Sequence, residues 1–557
     1  MRLEPKFAIF FLLCCSTLLR AAFVQSSSPS SLSYRAAVVE YSPVRASSTG
    51  KKVPDINADN YVKFVDLAAR YGVDIIVFPE SSLSISTSSD PVVSRTEAAS
   101  FIPHPDDNVV PCNQSHAFSY SLRALSCAAR DRNMYVVANH REKYICTANK
   151  GCPRDNLLVY NTNVVFDRRG AVIARYRKYN LFGETGTNRT RRAERSTFAT
   201  DFGVTFGQFV CFDLLFPEPA LNYTQDWTTT RINDVIFSNH WFSELPFLYG
   251  VAAQAAWAYA NDVNFLSAGY NYPVTASGGS GIYLGRDGYV DVISEKRVSN
   301  VLVMSNVPKI IDGKRAVNVD LQKKVIRLNE KEMPQENVST STYEHVNDYL
   351  KPYTSVLIDP EKGYFNRTIC NREFCCFFNV SMTYDDKNID PNTNSSFYRY
   401  RVAVFNGTRS FTGVAKGGVK VCGIISCLDD SLETCGQLLN DDDDLPEKAT
   451  LFRSILIRAS VERAAAHDLF VMPITLTKRM LPMNASDFHY EAREARNARV
   501  VHEMRTRSPN RDLLTFAIYA RYFVNDDKDV TTDAATRNAL ESILLTVLMY
   551  ALVKFVQ

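Results

Sequence analysis

The chain has 557 residues, 46% hydrophobic and 22% charged, which is enough apolar material for two globular domains. Its formal charge of +3 is close to neutral over that length, so nothing in the charge points to nucleic acid or to a polybasic membrane face.

Arg2 and Lys6 precede an apolar run from Phe7 to Leu19, and small or polar residues follow at Ala21, Ala22 and Ser26 to Ser28. This order predicts a cleaved signal peptide over residues 1–25, too short to span a membrane, and hence an exported chain. Of the 13 cysteines, Cys14 and Cys15 leave with the leader. Cys112, Cys127, Cys146, Cys152 and Cys211 then remain in the first half, and Cys370, Cys375, Cys376, Cys422, Cys427 and Cys435 in the second. An oxidising compartment pairs all but one of this odd set, and parity does not say which thiol stays free. Sequons at Asn113, Asn188, Asn222, Asn337, Asn366, Asn379, Asn394, Asn406 and Asn484 agree with export and predict N-glycosylation.

Arg35 to Val44 alternates and reads as the first strand. Asn57 is placed to cap a helix from Ala58 to Tyr71, with Gly72 as its stop. Val73 to Phe78 is a continuous apolar strand ending in Pro79-Glu80, which completes a βαβ unit with a carboxylate at its end. A helix over about His116 to Asp131 feeds a strand from Met134 to Ala138. Asn156 to Phe166 and Ala171 to Arg177 flank the turn Asp167-Arg168-Arg169-Gly170, and the second arm runs into Lys178. Next come a strand through Val210 that stops at Cys211, a strand at Asp234 to Ser238, a helix over about Pro246 to Ala260, and a strand at Asn264 to Ala268. A hairpin around Gly285 to Gly288 follows, and this layered α/β domain is expected to span residues 33–308.

Beyond Lys309 a polar stretch, Asp312 to Asn347, leads into alternating strands such as Phe397 to Phe405 and Val419 to Ile425. The six cysteines there predict a smaller, β-rich, disulfide-stapled domain over 309–525. Asp441 to Asp444 lacks the ligand spacing and glycine of a calcium loop and reads as a solvated loop. The last segment, 526–557, places small residues around Thr532 to Ala535 before a polar spacer and the apolar run Ile543 to Val553. That order predicts a lipid-anchor attachment signal, with the attachment residue among Thr532, Asp533 and Ala534.

Glu80, Lys178 and Cys211 each end a predicted strand of the first domain, and parallel neighbours would bring them to one rim of the sheet. A carboxylate can take the thiol proton, an ammonium can stabilise a developing oxyanion, and sulfur can attack a carbonyl carbon. There is no His-Glu-x-x-His or Cys-x-x-Cys to suggest zinc and no Gly-x-Ser-x-Gly elbow; the stretch Gly278-Gly279-Ser280-Gly281 reads as packing or as pocket lining.

Val77-Phe78-Pro79-Glu80, Arg177-Lys178-Tyr179-Asn180-Leu181-Phe182 and Val210-Cys211-Phe212-Asp213 resemble the three signature motifs of the nitrilase, or carbon-nitrogen hydrolase, superfamily. Cys211 to Phe216, Tyr176 to Glu184, Asn264 to Leu266 and Gly279 to Tyr283 are similar to its vanin and biotinidase branch. The resemblance implies an αββα sandwich followed by a β-rich base domain. It implies Glu80 as general base, Lys178 as the stabilising cation, Cys211 as nucleophile, the Phe212 N–H as an oxyanion donor and Glu184 as an auxiliary carboxylate. It implies hydrolysis of a linear amide, pantetheine to pantothenate and cysteamine, with a small-molecule substrate and neither cofactor nor metal. The alternatives are a biotinidase-like hydrolase of biotinyl amides such as biocytin and a catalytically silent binding ectodomain. The expected location is the outer face of the cell membrane.

Overall fold

The computed structural model describes residues 26–526 and 528, apart from 49, 87–90, 115, 148–151, 226–228, 334–344, 385–397, 440–449 and 466. The predicted leader, the C-terminal apolar run with Asp533, the Asp441 to Asp444 loop, and the sequons at Asn337 and Asn394 lie outside the described residues.

The first domain is built in four layers, helices on sheet on sheet on helix. Strand β1 (Ser33–Glu40) shows why: Ala36 and Val38 point into the space between the two sheets, while Ala37 and Val39 point outward. Helices α1 (Val53–Ala69) and α2 (Tyr120–Asp131) lay Tyr61, Phe64, Leu122 and Leu125 on that outer face. The first sheet continues through β2 (Ile75–Val77), β3 (Tyr135–Ile145), β4 (Leu157–Phe166) and β5 (Val172–Arg177), in that spatial order from β1. Strands β1, β2 and β3 are parallel; β4 and β5 return as antiparallel hairpin arms, so β2 and β5 end at the same rim.

The second sheet holds β6 (Thr197–Ala199), β7 (Thr205–Val210), β8 (Asp234–Asn239), β9 (Asn264–Gly269), β10 (Ser280–Leu284) and β11 (Tyr289–Ile293), hydrogen-bonded in sequence order. Strands β7, β8 and β9 are parallel. Helix α3 (Gly250–Asn261) covers the far face of this sheet, with Trp257 against Phe209 and Phe265 at ring-centroid distances of 5.1 and 5.0 Å.

Strand β12 (Asn300–Pro308) returns beside β1, and β13 (Lys324–Leu328) pairs with β12. The boundary drawn at residue 308 therefore falls short: the polar stretch that begins at Asp312 still contributes a strand to the first sheet, and Met333 is buried in its outer core. We place the change of domain after Met333.

The second domain is a β-sandwich with no α-helix among its described residues. One sheet has the order β14 (Thr354–Leu357), β17 (Arg399–Phe411), β18 (Ala415–Cys427), β23 (Leu513–Tyr522), β20 (Leu469–Thr477). The other has the order β15 (Tyr364–Asn371), β16 (Phe374–Tyr384), β19 (Thr450–Glu462), β22 (Arg499–Thr506), β21 (Phe488–Ala495). Disulfide Cys376–Cys422 joins the two sheets, and Cys370–Cys375 and Cys427–Cys435 close local turns. In the first domain Cys112 pairs with Cys127 and Cys146 with Cys152, so Cys211 is the free cysteine among the described residues. The apolar core behind α3 runs without a break into this sandwich.

Several sequence expectations shift. Helix α1 begins at Val53 with Pro54 in its first turn, not at Ala58. Asn57 lies inside it, and its Oδ1 accepts from the Tyr41 hydroxyl at 2.6 Å and the Val44 N–H at 2.9 Å instead of capping. Helix α2 starts four residues later than read, where Ser119 Oγ accepts from the Leu122 N–H. Helix α3 starts at Gly250, because residues before it form a turn in which the Leu248 carbonyl accepts from the Glu244 N–H.

Candidate active site

Glu80 follows β2 and Lys178 follows β5, both at one rim of the first sheet, whereas Cys211 follows β7 in the second. The expectation of a single rim is thus corrected: the three residues meet between facing sheets. All are buried, at 2%, 1% and 5% exposure respectively.

Lys178 Nζ lies 2.8 Å from Glu80 Oε1 and 2.5 Å from Glu184 Oε1. Burial opposes its charge, but the Glu184 and Glu80 carboxylates together outweigh that and hold the ammonium well above the usual lysine range. Burial also works against the Glu184 carboxylate, and Lys178 reverses the balance so that Glu184 is held low. Glu80 is fixed on every side. Its Oε1 accepts from Asn161 Nδ2 at 2.7 Å, and its Oε2 accepts from the His240 N–H at 2.9 Å.

Cys211 takes a left-handed backbone conformation, φ 49°, directly after the strand. Burial pushes its thiol well above the usual range, and the Glu80 carboxylate adds to this while Lys178 opposes it. Burial and the Glu80 carboxylate thus both favour the neutral thiol over the thiolate.

Four supporting residues carry the geometry, and the sequence reading gave none of them a role. Asp213 accepts from the Tyr176 hydroxyl at 2.7 Å, from the Asn180 backbone and side chain at 2.8 Å each, and from the Val210 N–H at 3.1 Å. This ties the Cys211 turn to the Lys178 segment across the two sheets. Burial raises the Asp213 carboxyl to about 6. Asn161 links Glu80 to the first sheet, and Asn139 Nδ2 holds Asn161 Oδ1 at 2.7 Å while Asn139 Oδ1 accepts from the Ser81 N–H. The fourth, His240, stacks on Tyr270 at 3.9 Å. The signal for Asp213 was present in its place two residues after Cys211; Asn139 and Asn161 sit mid-strand, where polar residues in an apolar run are the only mark.

An aromatic wall closes the site. Phe182 packs on Phe212 at 4.8 Å and on Phe242 at 5.8 Å, and Phe212 packs on Phe216 at 4.9 Å. The stretch Gly278 to Ser280 does not reach the chemistry: it wraps Glu40, whose carboxylate accepts from Gly279 N–H and Ser280 Oγ. Among the described residues no group of three His, Cys, Asp or Glu side chains is arranged to hold a metal ion. Of the sequons, Asn113, Asn366, Asn379 and Asn484 are exposed, and Asn188 and Asn222 are half-buried. Asn406 is 6% exposed and donates to Glu373, which leaves no room for a glycan. No helix among the described residues is long and apolar enough to cross a membrane.

Residues 35–272 match the carbon-nitrogen hydrolase family, and residues 343–526 match the vanin C-terminal domain. The chain is 35% identical to vanin-like protein 1 of Drosophila melanogaster over 482 residues, 84% of this chain and 82% of that one. It is 32% identical to human pantetheinase over 386 residues, 68% of this chain and 70% of that one. It is 28% identical to human biotinidase over 415 residues, 69% and 72% of the two chains. Buried thiol, carboxylate and ammonium at the meeting of two sheets, with the β-rich domain that follows, thus sit in a chain that belongs to the vanin-like family of carbon-nitrogen hydrolases and is a hydrolase acting on amides.

Proposed function

We propose that Cys211, Glu80 and Lys178 hydrolyse a linear amide through a thioester, with pantetheine as the substrate. The observation that carries this reading is the buried Lys178 ammonium clamped beside the free thiol by two carboxylates. Glu80 takes the Cys211 proton as sulfur attacks the amide carbonyl carbon. The oxyanion forms against Lys178 Nζ and the Phe212 N–H. Collapse breaks the C–N bond, and Glu80 returns the proton to the leaving amine. Glu80 then deprotonates a water, which attacks the thioester, and the thiol is regenerated as the acid departs. Glu184 is an auxiliary residue that orients Lys178.

For pantetheine the products are cysteamine, which leaves first, and pantothenate. The relatives named pantetheinase support this substrate, and the relative named biotinidase supports biocytin as the rival. Turnover of the purified mature chain on both compounds decides between them: release of biotin without release of cysteamine reverses the assignment.

We further propose that the enzyme is exported, carries N-glycans at its exposed sequons, and is held at the outer cell surface by a lipid anchor near Asp533. A phosphatidylinositol-specific phospholipase should release the activity from expressing cells. Recovery of peptides from 543–557 in the mature protein would refute the anchor.

A further inference from the structure

Two buried arginines of the second domain reach into the two loops that shape the amidase centre. Arg521 on β23 is 0% exposed, and its Nε donates to the Leu215 carbonyl at 2.9 Å, in the turn that begins at Cys211. Its remaining nitrogens are held by both Asp526 carboxylate oxygens at 2.9 Å and by the Gly418 carbonyl, so its position is set from behind. Arg409 on β17 ion-pairs through Nη2 with Glu244 and through Nη1 with Asp348 at 3.1 Å. Glu244 ends the loop that starts at His240, whose N–H holds Glu80 Oε2. Phe411 lies between the two cations, 4.9 Å from Arg409 and 5.2 Å from Arg521, and meets Phe212 at 5.8 Å. Phe212 is the residue after the nucleophile. The close fit leaves no slack, because a Cβ on Gly417 would stand 2.6 Å from an Arg521 nitrogen and 2.7 Å from the Phe411 ring.

We propose that Arg409, Phe411 and Arg521 are positioning residues of the amidase, by which the second domain fixes the Cys211 turn and the His240 loop against each other. The inference rests on the catalytic reading given above. These contacts come on top of the apolar core that the two domains share behind α3. The active geometry does need them: the oxyanion donor at Phe212 and the Glu80 contact at His240 lie on segments whose outer sides are held by the second domain. A guanidinium fork meets a carbonyl and a carboxylate with fixed angles that an ammonium cannot reproduce.

The test uses the full mature chain with Arg409→Lys, Arg521→Lys and Phe411→Leu, and with Tyr289→Phe as a control. Tyr289 bonds the Pro482 carbonyl across the same domain junction, away from the site. Two readouts are taken: kcat and KM for amide hydrolysis, and the rate at which iodoacetamide alkylates Cys211 as a function of pH. Expected are a kcat lower by about 10²-fold, the scale of a misplaced catalytic group, with KM unchanged and alkylation slowed. Tyr289→Phe should match wild type. If the arginine variants fail to fold, Phe411→Leu, which strands no buried charge, carries the test. Variants that fold and keep wild-type kcat and alkylation profile overturn the proposal. If wild type turns over neither amide, the catalytic reading fails, and the alkylation rates alone still decide whether the second domain positions Cys211.

Discussion

Replacing Lys178 with Met should separate stability from catalysis. The ammonium is 1% exposed and lies within 2.8 Å of Glu80 and 2.5 Å of Glu184. Met keeps the stem and removes the charge, so two carboxylates are left facing each other in the interior. Breaking a buried pair from one side costs about 3–5 kcal/mol. The Glu184 side chain is 23% exposed and can turn toward water, and Glu80 keeps its bonds from Asn161 and His240, so we expect the lower figure, about 3 kcal/mol. In the folded variant the facing carboxylates bind a proton more tightly than they do in the unfolded chain. Stability should therefore rise as pH falls from neutral toward the ordinary Glu value of about 4.3. Turnover should drop by roughly 10²–10³-fold for the lost oxyanion partner, at every pH. Adding Glu80→Gln should recover most of the stability and none of the rate. Denaturant unfolding at two pH values, with kcat on the same samples, measures both. A variant as stable as wild type at neutral pH, with no gain in acid, would refute the charge-clamp account.

Three further outcomes follow from the structure. Cys211→Ala should abolish turnover yet keep all five disulfides, and non-reducing mass spectrometry that finds Cys211 paired would defeat the mechanism. Burial raises the Glu40 carboxyl to about 7 in the folded state, so its contribution is present below its ordinary value of 4.5 and is lost as pH rises through 7. That loss is about 3 kcal/mol, and Glu40→Gln should flatten the stability profile across this window; an unchanged slope would contradict it. Replacing Cys376 and Cys422 by Ala opens a loop with a sequence separation of 46 and should cost about 4 kcal/mol, read as an earlier denaturant midpoint that belongs to the second domain.

Much of the first domain was legible because its strands are short apolar runs bounded by turns, and three of them end in a reactive side chain. Strand ends at Glu80, Lys178 and Cys211 mark the candidate site in the sequence, and the structure brings these three side chains together. Periodicity could not show that the ends belong to two sheets, because alternation records which face of a strand is buried and not which sheet it joins. Asn57 was misread for a related reason: the rule that places Asn at a helix start is local, and a tertiary bond to Tyr41 claims its side chain. The polar run from Asp312 looked like a linker because β13 sits at a sheet edge, where the exposed Lys324 and Arg327 break up the short apolar set Val325, Ile326 and Leu328. Asn406 satisfied a tripeptide rule that contains no information on burial.

On the proposed mechanism, the division of labour between the layers explains why nucleophile, base and cation come from different sheets. A thiol buried at 5% exposure favours its neutral form, so it becomes a nucleophile only if base and cation are placed to act in the same step. Within one sheet, neighbouring strand ends stand about 4.8 Å apart along a line, which suits a row of contacts better than a cluster around one atom. Facing sheets supply the missing dimension: Glu80 and Lys178 approach from one side and Cys211 from the other. That arrangement depends on the spacing between sheets, which Ser238 Oγ sets locally by donating to the Phe78 carbonyl at 2.8 Å, two residues before Glu80. Asp213 does the same from the Cys211 side through Tyr176 and Asn180. The site is thereby cross-braced by neutral donors against a single buried carboxylate on one flank and a backbone carbonyl on the other. On the proposed mechanism, the three side chains between them can then exchange a proton during turnover without moving the sheets that hold them.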